Sequence, residues 1–396
     1  MSIRHRRMAG TMALAVVLGA CGQQEAAPNG LVKTDSAGVD IVRSEAPAWG
    51  PGDAWQVGGA RVVFGGGDVD LFGVAGAVRR PDGHVLVADG GTSRLLFFDA
   101  EGALEVAVGG EGDGPGEFRI IHSMGLAAAD TVWVYDFSHR RLSVYDAAGA
   151  LGRTLALEPS LNAAALAGWS GGGFIATQLW GDGGDGALSP GLTRDPVAFV
   201  GYDADGVLAD TIGMFPGREV LLRPEGQRMT MGMAPFARDV SYEVASGRLI
   251  VGDQTAHEIR IYQLDGELRT VLRWAGASLV VTEADVDEWK DQEVESAAST
   301  DRPSVRAYLA DVPVPDRRPA YGPILASEVG ELWVGAYAYP SKIPSRWDVF
   351  DSEGAWLGSV EMPEGFRPLQ VGGDWILGLS RDEFDVERVE LRALLR

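Results

Sequence analysis

A short turn sequence recurs along this chain and restricts the folds that the chain can adopt. Its copies are FFDAEG (97–102), VYDAAG (144–149), GYDADG (201–206), YQLDG (262–266) and VFDSEG (349–354). An aspartate binds backbone amides at the start of such a turn, and a glycine supplies the positive φ that closes a β-hairpin. Successive glycines are 47, 57, 60 and 88 residues apart. Recurrence at this spacing indicates propeller blades of four strands each.

Strand sequences upstream of the turns complete the pattern. Runs of β-branched and aromatic residues, several of which end in aspartate, precede the turns: HVLVAD (84–89), TVWVYD (131–136), RLIVGD (248–253) and ELWVGAY (331–337). We therefore predict an all-β fold, a six-bladed β-propeller whose first five blades lie at 74–108, 124–157, 163–215, 236–275 and 322–361. The sixth blade takes three strands from the C-terminal end of the chain and its fourth from WQVGGARVVF (55–64). This N-terminal strand closes the last blade and removes an exposed sheet edge.

The N-terminal sequence MSIRHRRMAGTMALAVVLGAC predicts export. Arginines at positions 4, 6 and 7 precede an apolar run from Met8 to Ala20, which is shorter than the roughly 20 apolar residues that span a bilayer, so residues 1–20 are predicted to be a signal peptide. The last four residues, Leu-Gly-Ala-Cys, resemble the bacterial lipobox. That resemblance implies cleavage before Cys21 and attachment of acyl chains such as palmitate to it. The alternative is a plain secretory signal followed by a buried thiol.

The remaining domain boundaries follow from polarity and from the repeat. Residues 21–37 are predicted to be the lipidated cysteine and a flexible tether, and residues 38–396 the propeller. The formal charge of the whole chain is −22, and loss of the three arginines in the signal makes it −25. Such a chain repels nucleic-acid phosphates, so the expected partners are the membrane, through the lipid anchor, and a small ligand or an envelope protein.

A family resemblance agrees with these expectations. Residues 79–118, RRPDGHVLVADGGTSRLLFFDAEGALEVAVGGEGDGPGEF, resemble an NHL-type repeat, and the mature chain resembles bacterial six-bladed β-propeller lipoproteins. The resemblance implies a cell-envelope, periplasm-facing location, and Gly22, where an aspartate would signal retention, favours the outer membrane. Function stays open, because such folds host binding proteins, lyases and lactonases. The glycine-rich end, residues 109–118, lacks the Lys-Ser/Thr of a phosphate-binding loop and is predicted to connect two blades.

One face of the ring is expected to carry the long loops. In each blade the connection between the second and third strands and the connection to the next blade lie on one face, here named the loop face. The repeated turns lie on the opposite face, the turn face. Long segments predicted on the loop face are 181–195, 216–235 and 276–320. The last segment, between blades four and five, is predicted to hold a helix that begins at Thr282 as N-cap and a second helix within 303–312.

Arginines on the loop face are the candidate ligand-binding residues. They are Arg218, Arg223, Arg228, Arg238, Arg302 and Arg306, with Arg317 and Arg318 in the same insertion. Guanidinium groups suit carboxylate or phosphate ligands. Pairing with some of the 56 acidic residues is the alternative. Met229, Met231 and Met233 alternate on an extended segment, which fits either an adaptable apolar contact or ordinary core filling.

Three histidines are the candidate metal ligands. His122, His139 and His257 are predicted in loops of the loop face, and three histidines around one pore would form a zinc site with an open coordination position. Some propellers in the resembling group are zinc-dependent lyases and others hold calcium in the channel. The sequence carries no nucleotide, flavin or haem signature, so no cofactor is predicted, and zinc or calcium is the open alternative.

Two further motifs are interpreted as structural. GWSGG (168–172) matches the nucleophile elbow G-x-S-x-G, but a strand follows it where the elbow needs a helix, so Ser170 is predicted in a hairpin turn. Asp89, Asp136 and Asp253 recur at the ends of second strands and are predicted to make a repeated structural hydrogen bond.

Three functions are therefore compatible with the sequence. The leading hypothesis is a non-catalytic envelope lipoprotein that binds a small ligand or a protein partner on its loop face. The second is a metal-dependent lyase or lactone hydrolase at the channel mouth, and the third is a scaffold in an envelope complex.

Overall fold

Six β-sheets form most of the described structure. The computed structural model describes residues 30–396 except 68, 128–130, 158–162, 169–172, 180–189, 227 and 339–342. The predicted signal peptide, Cys21 and Ser170 lie outside the described residues, as does most of the predicted loop 181–195.

The N-terminal half of the chain forms three blades. Three strands come first: β1 (Val32–Ser36), β2 (Val39–Ser44) and β3 (Gln56–Phe64). Blade one consists of β4 (Val74–Arg79), β5 (Val85–Asp89), β6 (Arg94–Phe98) and β7 (Leu104–Gly109). Blade two consists of β8 (Ile121–Leu126), β9 (Val132–Asp136), β10 (Arg141–Tyr145) and β11 (Leu151–Ala156). Blade three has five strands: β12 (Ala163–Gly168), β13 (Phe174–Leu179), β14 (Gly191–Tyr202), β15 (Leu208–Glu225) and β16 (Arg228–Met233).

The C-terminal half contains the other three blades and two helices. Blade four consists of β17 (Ser241–Ala245), β18 (Arg248–Gly252), β19 (Glu258–Gln263) and β20 (Leu268–Trp274). The helices α1 (Glu283–Ser296) and α2 (Arg302–Ala310) follow. Blade five consists of β21 (Ile324–Ala326), β22 (Leu332–Gly335), β23 (Arg346–Phe350) and β24 (Trp356–Glu361), and blade six of β25 (Arg367–Val371), β26 (Trp375–Arg381) and β27 (Glu387–Leu395) with β3 as its fourth strand.

The last blade is closed by the N-terminal strand, as predicted. β3 pairs antiparallel with β27, so that Phe64 lies opposite Val389 and Gln56 opposite Leu395. Phe64 is fully buried, and its ring meets Phe98 of blade one edge-on at 5.7 Å. Because residues from both ends of the chain share one sheet, the ring closes without a covalent link.

The first strand of every blade lies innermost. β4, β8, β12, β17, β21 and β25 neighbour one another in that order, and β25 returns to β4, which completes a ring around a central axis. Apolar side chains fill the spaces between adjacent blades; Trp333 and Trp347, for example, are both buried against blade six. The prediction of a six-bladed β-propeller with helices between blades four and five is confirmed.

The glycines of the repeated turns lie directly against the preceding blade. Gly206 has a φ of +80°, and a Cβ at this position would lie 2.7 Å from the Ala156 carbonyl oxygen of blade two. Gly354 has a φ of +84°, and its Cβ would lie 2.3 Å from the Leu272 side chain of blade four. The repeat glycine therefore both closes a hairpin and permits close approach of two blades.

The aspartates at the ends of second strands bind backbone amides. Asp89 accepts hydrogen bonds from the amides of Phe72 (3.3 Å) and Gly91 (3.2 Å), and Asp136 accepts one from the amide of Arg119 (2.8 Å). The bonds from Phe72 and Arg119 join the connections that enter blades one and two to the second strands of those blades. Blade four differs. Asp253 accepts a hydrogen bond from the Thr255 hydroxyl, and it is the side chain of Gln254 that accepts from the Asp239 amide in the connection.

Blade three extends beyond its predicted end. Residues 216–235 were expected to be an irregular loop, but most of them belong to strands: β15 continues to Glu225 and pairs with β16 from Val220↔Met233 to Glu225↔Arg228. The start of β14 pairs with the same part of β15. We call residues 191–194, 219–225 and 228–233 the arm. The prediction failed because the polar and proline residues of this segment lie in a three-stranded extension that receives its packing from the helices.

An N-terminal hairpin widens blade four. β1 and β2 pair antiparallel, and β2 lies parallel to β20, so the sheet order is β1-β2-β20-β19-β18-β17. Residues 32–36 are thus strand, although the sequence placed them in a tether that ended at residue 37. The correction arises because the short hairpin depends on the edge of β20, which is distant in sequence.

Neither of the two helices in the described part of the chain is long and apolar enough to cross a membrane.

Candidate functional site

The helical insertion packs on the arm. Thr282 caps α1 as predicted, with its hydroxyl accepting from the Asp285 amide while the Asp285 carboxylate accepts from the Thr282 amide. Trp289 of α1 and Leu309 of α2 are buried in one cluster with Leu221 of the arm. Because the helices and the arm share this small core, they pack as one unit on the loop face between blades three and five.

A pocket of about 330 Å³ lies between α1 and residues 336–338 and 343–345 of blade five. We call it the insertion pocket. Its aromatic lining comes from Phe236, Trp289 and Tyr337, and its polar lining from Asp285, Glu288, Gln292 and Arg318, with Ile343, Pro344 and Ser345 at the blade-five side. Apolar walls with a few convergent polar groups are typical of small-molecule sites.

One ion pair lies in the lining of the insertion pocket. Arg318 Nη2 donates to Asp285 Oδ2 at 3.1 Å, and the backbone amide of Arg318 donates to the Leu279 carbonyl at 2.8 Å. Hydrogen bonds from the Thr282 hydroxyl and amide, together with the charge of Arg318, hold the pKa of Asp285 below its usual value. Asp285 is therefore a carboxylate at neutral pH, and it orients the Arg318 guanidinium.

Two hydrogen-bond donors at the pocket have no acceptor among the described residues. The Tyr337 hydroxyl and the Arg318 Nε are both buried and unpaired there. Burial raises the pKa of Tyr337 to about 12, so its hydroxyl keeps its proton across the physiological range. Leaving a buried donor unpaired costs about 1–3 kcal/mol. Both atoms are closed to solvent, so a ligand oxygen in the pocket reaches either of them only after a small movement of the side chains.

A larger cavity lies elsewhere among the described residues and lacks these features. It is a groove of about 700 Å³ on the turn face between blades four and five, with an aliphatic floor that includes Ile250, Leu272 and Leu332. Polar groups at its rim bond one another, as Asp351 does with the amides of Glu353 and Ala355. No side chain that lines it is among the described residues with a buried, unpaired polar atom. We therefore place the candidate site in the insertion pocket despite its smaller volume.

Two of the predicted ligand-binding arginines hold the base of the arm. Arg218 Nε donates to Asp239 Oδ2 at 2.7 Å, and Arg238 Nη2 donates to Glu219 Oε1 at 2.6 Å. These pairs connect blade three to the entry of blade four. Both arginines are engaged in the alternative role named above, pairing with carboxylates.

The other four predicted arginines are spread over the insertion and the arm. Arg302 donates to the Glu295 carbonyl, in the last turn of α1, at 3.2 Å. It also donates to the carbonyl of Ala297, the residue after α1, at 3.3 Å. The Arg223 guanidinium lies 4.5 Å from the centre of the Tyr308 ring. Arg228 and Arg306 are exposed. None of the six lines the insertion pocket.

The three predicted metal-ligating histidines occupy separate surroundings. His122 lies in β8 rather than in a loop, because blade two begins at Ile121, and its ring is 5.7 Å from that of Phe137. His257 lies before β19 against Trp274, at 5.5 Å. Burial lowers the pKa of both histidines, which favours neutral imidazole. Across the described part of the chain, no three His, Cys, Asp or Glu side chains are grouped so that they could hold a metal ion.

His139 instead fastens the glycine-rich connection. Its Nδ1 lies 2.7 Å from Asp136 Oδ2 and its Nε2 lies 2.8 Å from Asp113 Oδ1. Arg119 binds both oxygens of Asp113, and Arg141 donates to the Gly114 carbonyl at 2.8 Å. Residues 109–118 join β7 to β8, so the prediction of a connector between blades one and two is confirmed.

Sequence reasoning missed the centre of the pocket. Tyr337 appeared only as the end of a strand sequence, and Arg318 was one of eight arginines assigned to this face. Two sequence features could have indicated it: the tryptophan and acidic residues within 282–294, and a tyrosine that follows a buried strand. Which arginine meets the tyrosine depends on how the insertion folds back.

Comparisons with known proteins agree with the fold. Residues 68–167 match the model of family DUF5128, described as a 6-bladed beta-propeller. A protein of Bacteroides fragilis NCTC 9343 described as exported superposes with a TM-score of 0.51 and 11% identity, over 89% of this chain and 99% of that one. A DUF4221 family member from Bacteroides vulgatus superposes with a TM-score of 0.51 and 10% sequence identity, over 86% of this chain and 98% of that one.

More distant matches add no functional information. Virginiamycin B lyase from Staphylococcus aureus superposes with a TM-score of 0.42 and 11% identity, over 83% of this chain and 98% of the lyase. At that similarity the match supports no inference about activity. No curated protein matches the sequence. The class established by fold and comparison is a six-bladed β-propeller, here with a helical insertion beside a pocket on its loop face.

Proposed function

We propose that this protein is an envelope-anchored, non-catalytic binding protein that holds a small ligand in the insertion pocket. The observation that carries the proposal is the pair of buried donors, the Tyr337 hydroxyl and the Arg318 Nε, beside the Arg318–Asp285 ion pair. The ligand that suits them is a small molecule with an acceptor oxygen, such as a carboxylate or an amide carbonyl, and an apolar part for the aromatic walls.

The envelope location is supported by the N-terminal sequence. A basic segment, a short apolar run and Leu-Gly-Ala-Cys ending at Cys21 fit an exported, lipidated protein. The B. fragilis protein of similar fold is described as exported, which agrees with this location. The formal charge of −22 opposes nucleic-acid binding.

Binding is favoured over catalysis by the groups in the pocket. Asp285 is committed to Thr282 and Arg318, and Tyr337 holds its proton, so neither is poised to remove a proton from a bound molecule at neutral pH. Among the described lining residues there is also no histidine or cysteine.

The test compares ligand binding by two single-hydroxyl variants. Saturation-transfer NMR with a set of small carboxylic acids and amides identifies a binder, and calorimetry gives its affinity. Tyr337→Phe removes one donor, so we expect about 5- to 10-fold weaker binding, because a typical hydrogen bond contributes about 1 kcal/mol. The matched control is Tyr308→Phe, which removes a hydroxyl from an exposed residue of α2. Equal affinity in the two variants, or no binder in the set, would refute the proposed site.

A further inference from the structure

The N-terminal segment enters the propeller at the loop face. β2 lies parallel to β20, with Ser44 opposite Trp274, and the Ser44 carbonyl accepts from the Ala275 amide at 3.0 Å. Because β20 leads into the insertion, β2 ends at the loop face, and the antiparallel β1 begins there. Gly30 lies beside Glu45, so close that a Cβ on Gly30 would be 3.0 Å from Glu45 Cβ.

The distance from Cys21 to this entry point is short. Nine peptide units separate Cys21 from Gly30, and a fully extended chain of that length spans roughly 30 Å. A lipid on Cys21 would therefore keep the loop-face rim of blade four within that distance of the bilayer. This step rests on the anchoring that is part of the proposed function.

Two phenylalanines on the loop face are unusually exposed. Phe72, in the connection that enters blade one, is 73% exposed, and Phe384, between β26 and β27 of blade six, is 78% exposed. Blades one and six are neighbours, and they lie across the ring from blades four and three. Burying a phenylalanine gains about 1.5–3 kcal/mol, so each of these rings would be stabilised by contact with an apolar phase.

Both phenylalanines lie in hydrogen-bonded turns. The Phe384 amide donates to Asp382 Oδ1 at 3.0 Å, and the next residue, Asp385, has a φ of +63°. The Phe72 amide donates to Asp89 Oδ1 at 3.3 Å, and its carbonyl accepts from the Gly91 amide at 2.7 Å. These bonds fix the backbone, so the exposed rings do not depend on a loose loop.

The charges around Phe384 are largely paired. Arg388 Nη2 lies 3.2 Å from Asp382 Oδ2, and Arg381 Nη1 lies 2.9 Å from Asp385 Oδ1. Pairing lowers the cost of bringing these carboxylates to a lipid headgroup region. The amphipathic border of a bilayer is where aromatic side chains are commonly found.

We propose that the loop face is turned toward the membrane, with the tether on the blade-four side and Phe72 and Phe384 inserted at the lipid surface on the opposite side. Two attachments on opposite sides of the ring hold the face roughly parallel to the bilayer. The insertion pocket then opens toward the lipid, so its ligand reaches it from the membrane side. Because Phe72 and Phe384 are uncharged, the contact is apolar, and salt, which screens charge repulsion, does not weaken it.

The experiment labels a single introduced cysteine. Cys21 is the only cysteine in the chain, and lipidation blocks its thiol, so one introduced cysteine is labelled uniquely. Full-length lipoprotein carrying Phe384→Cys or Phe72→Cys is labelled with an environment-sensitive fluorophore and reconstituted into phosphatidylethanolamine/phosphatidylglycerol vesicles. Ser352→Cys, on an exposed repeated turn of the turn face, is the matched control.

We expect blue-shifted emission and quenching by nitroxide lipids at positions 72 and 384, neither of which weakens in high salt, and aqueous emission at 352. Equal aqueous emission at all three positions would overturn the orientation. A blue shift at 72 and 384 that develops with protein concentration in lipid-free detergent solution would also overturn it and assign the surface to a second copy of the chain. The intact mass of the N-terminal peptide distinguishes failure of the anchoring from failure of the orientation. An unlipidated Cys21 would refute the anchoring, whereas a lipidated protein whose labels stay in an aqueous environment would refute only the orientation.

Discussion

Glu219 and Arg238 bind each other through both backbone and side chain. The Glu219 amide donates to the Arg238 carbonyl at 2.8 Å, and Arg238 Nη2 donates to Glu219 Oε1 at 2.6 Å. Glu219 is only 5% exposed. The pair connects Glu219, where β15 enters the arm, to the entry of blade four. The position of the arm, and of the helices packed on it, therefore depends on this contact.

Removing that carboxylate should loosen the arm. For Glu219→Ala we expect a loss of about 3 kcal/mol of stability, because a partly buried guanidinium is left without its partner, with faster amide exchange in 219–233 and in α1. Differential scanning calorimetry and hydrogen exchange would measure the two effects. The control is Glu267→Ala, whose ion pair with Arg269 is exposed and should contribute less than about 1 kcal/mol. Unchanged exchange in the arm of Glu219→Ala would contradict this role.

The close approach of blades five and four should make Gly354 hard to replace. Gly354→Ala combines a positive φ with a Cβ 2.3 Å from the Leu272 side chain, so we expect a loss of at least about 2 kcal/mol. Gly247→Ala provides the comparison, because Gly247 has a φ of +68° with nothing within 4 Å of its Cβ, and it measures the backbone cost alone. Equal Tm values for the two variants would show that blade contact contributes nothing.

Glu243 should make stability depend on pH. It lies in β17, the innermost strand of blade four, and burial raises its pKa from 4.5 to about 7, opposed by hydrogen bonding from the Val244 and Ala326 amides. A carboxyl whose pKa is raised by folding stabilises the fold fully below about pH 4.5, and that contribution is lost as pH rises through about 7. We expect Glu243→Gln to raise Tm at pH 8 and to leave it nearly unchanged at pH 4.5. The same Tm difference from the wild type at both pH values would disprove the assignment.

Metal content distinguishes binding from the lyase or lactonase alternative. For the lipid-free mature domain we expect less than about 0.1 equivalent of zinc or calcium by elemental mass spectrometry, because the three histidines lie in separate surroundings. One equivalent that is lost in His139→Ala or His122→Ala would reverse this expectation and favour an enzyme. His139→Ala also removes the contact between His139 and Asp113 of the connection 109–118, and limited proteolysis near these residues measures that effect separately.

Local sequence patterns were sufficient for the architecture. The aspartate and glycine of each turn act within a few residues, and Thr282 caps α1 through contacts three residues away, so each can be predicted from neighbours in the chain. Strand alternation then assigns turns and connections to opposite faces. Even the closing strand was predictable, because the C-terminal tail supplied three strands where a blade needs four.

The site depended on contacts between residues distant in sequence. Arg218 and Arg238 had the composition of ligand-binding residues, yet their positions place them beside Asp239 and Glu219. Arg318 meets Asp285, 33 residues away, and Tyr337 joins them from blade five only because the insertion folds back over the loop face. The conformation of each turn depends on residues close together in the chain and can therefore be predicted from the sequence. Which charges are paired, which donors are buried without partners and which phenylalanines remain exposed are consequences of packing, and the tertiary structure alone decides them.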